Sequence, residues 1–427
     1  MNSFVDLNVS QNCSIDAIES ETVCEHNSVT GRFQGLVLRS HFQPIFSLSH
    51  RRAVGYEALV RPQDTKGQGV PPNILFNKEH NDRDTVFLDR LCRDIHLRNF
   101  VLDGNSDAWL FLNVNARVAL HGKKYGPFFE SLLTRYGVPP SRIVIELLEN
   151  DIQDERLLAE TMRYYTELGC LVAIDDFGAG HSNFERIWHV QPHIVKLDRS
   201  MLVQARERRN VRGVLSSLVA MMQEMGCLTL IEGVETEEEA MISMDSGIDF
   251  VQGFFFARPA PNLEDRTNCS PFIGGLCHRY SESIKISAER NRLMLKPYLL
   301  RFHECANLLS LESDPGAAAV RLFALPLVVR CYLLDMEGRQ LGDNIQSPQH
   351  EMRSDPRFRP IADPNNANWS RRHYYQRALS HPGEAQISRP YLSITDAKMC
   401  ITISIALLDD KDAPNRVFCA DISWEGN

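Results

Sequence analysis

The sequence predicts an α/β protein, a (β/α) barrel followed by a helical linker and a smaller α+β domain. Three observations carry that prediction. From about residue 31 to 262, short apolar runs alternate with segments of helical periodicity. Most of those runs are near-continuously apolar, which suits strands buried on both faces. From about residue 318 the rhythm changes to runs that read as antiparallel strands joined by turn residues. The length agrees, since 427 residues are too many for one ordinary domain.

Residues 1–30 read as a polar, weakly structured lead-in, and 31–265 as the barrel. Its strands are expected at AVGYEALVRP (53–62), WLFLNV (109–114), RIVIELL (142–148), CLVAIDD (170–176), HIVKLD (193–198), CLTLIEG (227–233) and FVQGFF (250–255). Helices fill the gaps. Phe87, Leu91 and Ile95 lie four apart on one face. Val211, Val214, Leu215, Leu218, Met222 and Met225 form a second stripe, and Gly226 follows as a stop signal. Its methionines read as core. Residues 266–310 are a linker and a long helix, in which Pro297 is expected to bend the helix or start a second one. In the last part, 311–427, strands are expected at 328–335, 401–409 and 416–423, with Ser370 capping a helix over RRHYYQRAL.

Composition excludes several function classes. Hydrophobic residues make up 43% and charged residues 24%, as in an ordinary globular protein. The formal net charge of -9 argues against a broad basic face for long nucleic acids. A small phosphorylated ligand stays open, because bound cations can neutralise an acidic pocket. No apolar run reaches membrane-span length, and the opening residues lack the basic and apolar regions of a signal peptide. Eleven scattered cysteines without a CxxC pair read as thiols in a reducing cytosol, and the expected location is cytoplasmic.

In a barrel of this type, active groups sit where the strands end. The ends here carry Glu57, Asn113, Glu146, Asp175 with Asp176, Lys196, Glu232 and Gln252. Carboxylates grouped around one mouth repel each other unless protonated or metal-bound. Several carboxylates plus one amide make a hard oxygen cage, which favours Mg²⁺ or Mn²⁺ over zinc. Two such ions can clamp a phosphodiester and stabilise the departing oxygen. Taken singly, each acid is more simply a solvated residue or a helix cap; the set is what points to chemistry. Asp176-Phe177-Gly178 matches a kinase metal motif, but no HRD segment or Gly-rich loop accompanies it. His189 and His193 are spaced like ligands, yet Pro192 lies between them, and they read as loop residues. GAGHS (178–182) is either a phosphate loop or a tight turn.

Residues 40–262 resemble the EAL-domain family of cyclic di-GMP phosphodiesterases. QPIF (43–46), Glu57-Ala58-Leu59 followed by Val60 and Arg61, NVN (113–115), ELLE (146–149), DDFGAGHSN (175–183), KLDRS (196–200), EGVET (232–236) and QGFFFARP (252–259) carry the likeness in order. It implies a TIM-like barrel that hydrolyses cyclic di-GMP to linear pGpG with two metal ions, Mg²⁺ or Mn²⁺. Glu57, Asn113, Glu146 and Asp175 would hold the first ion; Asp175, Asp176 and Glu232 would serve the second. Lys196 and Gln252 would position the attacking water or the metal cluster. Gln43, Leu59, Arg61, Asp176 and Pro259 would lie on the substrate side. Glu235, also on that side, would brace the loop after Asp176 that links the site to dimer contacts. Leu148, the run His181-Ser182-Asn183 and Trp188-His189-Val190-Gln191 depart from the family pattern, and none of them removes a metal ligand.

Residues 311–427 resemble PAS-like or Cache-like sensor domains, more loosely. Arg371, Arg372, Tyr374, Tyr375 and Tyr391 line a small-molecule pocket, pack the helix on its sheet or form a dimer contact. The expected function is a phosphodiesterase acting as a homodimer and regulated by this domain. The alternatives are a cyclic di-GMP receptor with weak turnover and a dimeric scaffold.

Overall fold

In the computed structural model, the barrel strands form a ring that one antiparallel strand closes. The structure describes residues 13–25, 27–76, 80–104, 107–115, 118, 128–148, 155–180, 184–263, 270–311, 314–350, 364, 367–394 and 398–424. The chain divides into two compact units, Met1–Ser281 and Glu282–Asn427.

The first unit opens with a helix, Ile15–Ser20, capped by the Ser14 side chain. A hairpin of β1 (Thr22–Glu25) and β2 (Ser28–Phe33) follows. These elements occupy part of the stretch expected to be weakly structured. Their anchor is buried Asn99, which bonds both the N–H and the carbonyl of Val29. Then come β3 (Leu36–Ser47) and β4 (Arg52–Gln63), paired antiparallel. From β4 the ring proceeds in parallel through β5 (Trp109–Asn113), β6 (Ile143–Leu148), β7 (Leu171–Phe177), β8 (Ile194–Leu197), β9 (Leu228–Ile231) and β10 (Phe250–Val251). β10 returns to β3, antiparallel again, and closes an eight-stranded barrel. The barrel is therefore not wholly parallel. Only Leu48–Arg51 connect β3 to β4, far too few residues for a parallel crossover. β10 is shorter than the expected 250–255, because Gly253 lies against Val234: a Cβ there would meet the Val234 carbonyl oxygen at 2.1 Å.

Helices pack outside the ring. In Asp82–Leu102, Leu91 and Ile95 are buried as their spacing requires, while Phe87 is half-buried. In Arg209–Glu224, Leu215, Leu218, Val219 and Met222 face the barrel, but Val214 is 60% exposed and lies off the stripe. Inside the ring, Ile45, Phe111, Val144, Ala173, Ile194, Leu230 and Phe250 form an apolar plug. Gly55 is required beside it, since a Cβ there would meet the Phe111 ring at 2.7 Å.

Helix Ser270–Ser310 runs continuously through Pro297. The carbonyl that Pro297 leaves without a helical donor belongs to Leu293, which is exposed, so water can satisfy it. Ile273 and Leu276 of this helix belong to the core of the first unit. Leu295, Tyr298, Phe302, Cys305 and Leu309 belong to that of the second.

The second unit is built on an antiparallel sheet of β11 (Val328–Leu334), β12 (Gln340–Gln346), β13 (Gln386–Ile387), β14 (Tyr391–Leu392), β15 (Met399–Leu408) and β16 (Pro414–Ser423). One face packs on the long helix, with Phe302 stacked on Phe418 at 4.8 Å. The other packs on helix His373–Ser380 through Tyr374, Tyr375 and Ala378. Ser370 does not cap that helix; Arg372 occupies the capping position, and the Ser370 hydroxyl donates to Asn368 at 2.5 Å. Among the described residues, no helix is long and apolar enough to cross a membrane.

Candidate active site

Side chains of a strand alternate between its faces, so the residue two past an interior apolar residue also points inward. Each strand of the ring uses this step once. Two residues past the plug, Phe111 leads to Asn113, Val144 to Glu146, Ala173 to Asp175, Ile194 to Lys196, Leu230 to Glu232 and Phe250 to Gln252. Gly55 leads to Glu57 in the same way. On antiparallel β3 the step runs backwards, from Ile45 to Gln43. A polar layer thus sits directly on the apolar plug.

Lys196 lies at its centre, fully buried. Its ammonium is 2.5 Å from Glu146, 2.5 Å from Glu232, 3.1 Å from Asp175 and 3.9 Å from Glu57. Burial works to lower the Lys196 pKa, but Asp175, Glu146, Glu232 and Glu57 outweigh it and hold the ammonium well above its usual range. Glu57 is gripped from the other side. Asn113 donates to one of its oxygens at 3.2 Å and Gln252 to the other at 2.7 Å. The Gln252 amide also reaches Gln43 at 3.2 Å, and Gln43 in turn donates to the Ala257 carbonyl.

The acids exceed what one ammonium can balance. Burial raises Glu146 well above the usual carboxylate range, and Glu57, Asp175 and Glu232 add to the effect. Burial likewise lifts Glu232 to about 8, with Asp175 and Glu57 contributing and Lys196 opposing. Asp176 sits at φ +57°, where β7 loses register with β8 between Ile174 and Phe177. Its amide donates to the Asp175 carboxylate at 2.9 Å. Burial, then Asp175, raises its pKa to about 6. The bulge keeps Asp176 within electrostatic reach of Asp175, Lys196 and Glu57.

Glu146, Asp175 and Glu232 each offer an oxygen within 4.8 Å of the others. Both Glu146 oxygens are buried without an aligned hydrogen-bond donor. With Glu57 and the Asn113 amide beside them, these residues form an oxygen-only donor set that fits a hard divalent cation.

The remaining predicted residues lie around this layer. Leu59 and Arg61 follow Glu57 at two-residue steps along β4. The Arg61 guanidinium donates to the Val60 carbonyl at 2.9 Å and lies within the field of Glu57. The Pro259 carbonyl accepts a hydrogen bond from His41, on β3 across from Leu59. Glu235 is not among the clustered acids. It forms a two-pronged pair with Arg199, and its amide donates to Glu239 at 2.8 Å. Gly233 makes room for that pair, since at φ +66° a Cβ would meet the Arg199 side chain at 2.7 Å. His189 lies 3.7 Å from Glu185, and His193 accepts the Val172 N–H at 3.1 Å; neither joins the cluster. Residues 178–180 begin a turn, with the Ala179 amide donating to the Asp176 carbonyl. His181, Ser182 and Asn183 lie outside the described residues. Sequence reasoning passed over two contributors, His41 and Arg199. His41 was accessible, being two residues before Gln43 on the same strand.

The EAL domain family model matches residues 28–259. The Bacillus subtilis signaling protein YkoW is 28% identical over 227 residues, 52% of this chain and 28% of YkoW. The Pseudomonas aeruginosa cyclic di-GMP phosphodiesterase RocR is 28% identical over 254 residues, 58% of this chain and 64% of RocR. The match thus covers less than two thirds of either protein. The Bacillus subtilis EAL-domain containing protein YkuI is 25% identical over 346 residues, 78% of this chain and 82% of YkuI. A crystal structure of YkuI, in complex with cyclic di-GMP and calcium, aligns with a TM-score of 0.77 at 22% identity, covering 91% of this chain and 97% of that one. That likeness is one of fold. With its family model spanning more than half of its residues and its signature tripeptide on β4, this chain belongs to the EAL domain family.

Proposed function

We propose that the barrel hydrolyses cyclic di-GMP to linear pGpG, using two divalent cations of the Mg²⁺ or Mn²⁺ class. The observation that carries this reading is the charge of the polar layer. Five carboxylates, Glu57, Glu146, Asp175, Asp176 and Glu232, face one ammonium, Lys196. Fully ionised, they leave four negative charges, the complement of two divalent ions. Glu57, Asn113, Glu146 and Asp175 would hold one ion, and Asp175, Asp176 and Glu232 the other. When bound, the ions supply Lewis acidity toward the phosphate and neutralise its charge. Lys196 and Gln252 orient the water that attacks phosphorus. One P–O3′ bond breaks, and the departing oxygen takes up a proton to give the 3′-hydroxyl of pGpG. Gln43, Leu59, Arg61 and Pro259 contact the dinucleotide, and Glu235, held by Arg199, braces the adjoining loop.

The same reading has the chain acting in the cytoplasm as a homodimer, with the second unit a PAS-like or Cache-like sensor that regulates the barrel. Trp188, 59% exposed on the helix Phe184–Val190, is a candidate dimer contact. The test is incubation of the purified protein with cyclic di-GMP and Mg²⁺ or Mn²⁺, with chromatographic detection of pGpG. Appearance of pGpG supports the enzyme. No turnover with either metal, with tight binding retained, replaces it with the receptor.

A further inference from the structure

In the second unit the long helix packs on the sheet through Leu295, Tyr298, Phe302, Cys305 and Leu309. Its opposite face carries three exposed apolar residues: Ile286 at 62%, Leu293 at 57% and Leu300 at 57%. Each lies seven residues from the next. Seven residues are nearly two helical turns, with a drift of only ~20°, so the three form one stripe. N-terminal to Leu295 the helix has no buried face, since every residue from Glu282 to Leu293 is exposed. That stretch includes Ser283, Ile284, Ile286, Ser287 and Asn291, none of them a strong helix former. A segment of that length is marginal as a helix in water, and packing is what normally sustains one. Contact along the stripe would supply the packing.

The charges beside the stripe say what fits it. Glu289 stands four residues before Leu293 and Lys296 three after, on the same flank. A second copy of the helix, laid antiparallel with Leu293 on Leu293, sets Ile286 against the copy's Leu300 and Glu289 against its Lys296. The two-fold symmetry makes each of these contacts twice. Glu289 bonds Arg292 of its own helix at 2.9 Å, an exposed pair that contributes little by itself and leaves the carboxylate open to a second cation. Glu304, which this register brings near the copy's Glu282, is held by Arg301 at 2.7 Å. Parallel pairing is worse. It sets Lys296 beside the copy's Arg301, five residues on, with like charges together. The stripe is therefore self-complementary in one orientation.

We propose that this stripe is a self-association surface: two copies of the chain pair antiparallel along Ile286, Leu293 and Leu300, with the two-fold axis at Leu293. The proposal rests on the homodimer reading and gives it a surface, a register and a direction. It uses neither the barrel chemistry nor Trp188.

The experiment is sedimentation of the full-length protein over a range of concentrations, followed by thiol cross-linking. Leu293→Glu sets two carboxylates on the axis and should raise the dimer dissociation constant tenfold or more. Glu289→Lys and Lys296→Glu should each weaken the dimer, and the two together should restore it. Cross-linking under oxidation reads the register, in a Cys24→Ser background that removes an exposed thiol. Leu293→Cys should give a disulfide-linked dimer. Ile286→Cys alone and Leu300→Cys alone should not, because each like pair would lie about 21 Å apart along the axis. The variant carrying both should cross-link again. A dimer that Leu293→Glu leaves as tight as before overturns the proposal while the homodimer reading stands. So does cross-linking of Ile286→Cys alone as readily as of Leu293→Cys, or a charge-swapped double variant no tighter than its single parents. A wild-type protein that stays monomeric at every concentration overturns the homodimer reading and the proposal with it.

Discussion

Both units bury a cluster of charged side chains, but they balance it differently. Among the described residues of the second unit, one carboxylate, Asp421, meets one guanidinium, Arg330, and two hydroxyl donors. In the barrel four carboxylates surround Lys196, and Asp176 adds a fifth at the bulge. Burial then pushes Glu146 and Glu232 toward their protonated forms. A satisfied buried pair fixes a structure; an overcharged buried cluster is prepared for added cations. The difference teaches that stoichiometry, more than burial, separates a structural ion pair from a candidate reaction site.

The largest effect that can break this comparison is at Glu57. Glu57→Ala should lower cyclic di-GMP cleavage on the order of 10³-fold while leaving the protein folded, because it removes one proposed ligand from an overcharged layer. Unchanged turnover in that variant would show the ligand assignment to be wrong. Next is Asp421→Ala, which strands the buried Arg330 charge and should cost about 3–5 kcal/mol in a denaturant titration. That loss should be the same with and without Mn²⁺. Lys196→Met should cost about 3 kcal/mol in EDTA, since it strands the barrel acids, and Mn²⁺ should recover much of it. If Mn²⁺ rescued the Asp421 variant as well as the Lys196 variant, the contrast between the clusters would fail.

The smallest effect concerns pH. His96 lies buried against the Ser40 hydroxyl at 2.8 Å, and burial, with Arg61, lowers its pKa to about 3. The unfolded chain binds a proton there at roughly pH 6.5 and the folded chain does not. Stability is therefore full above that pH and falls as pH drops toward 3, by about 1.5 kcal/mol between roughly pH 6.5 and pH 5. His96→Gln should flatten that part of the stability–pH curve. A wild-type curve already flat there would show that His96 titrates normally.

Much of the barrel was legible because apolar runs mark buried strands, and the polar residue two positions past each plug residue marks its mouth. Glu57, Asn113, Glu146, Asp175, Lys196, Glu232 and Gln252 were all readable in that way, and the structure brings them together. Strand direction was not, since an apolar run carries no polarity. The four-residue link between β3 and β4 did carry the signal. The bulge at Asp176 was hidden because a left-handed aspartate looks like any other in sequence. The Arg199–Glu235 pair was hidden because its partners are 36 residues apart and outside any strand. In the second unit the main strands were legible, but the short β13 and β14 were not, and Ser370 lost the cap to Arg372.

The central claim is that the barrel's polar layer is completed by two divalent cations. Calorimetric titration of Mn²⁺ into the full-length protein with cyclic di-GMP present tests it most directly. Two ions should bind per chain, with at least one lost in Glu57→Ala. Binding of no ion, or a stoichiometry and affinity that Glu57→Ala leaves unchanged, would contradict it.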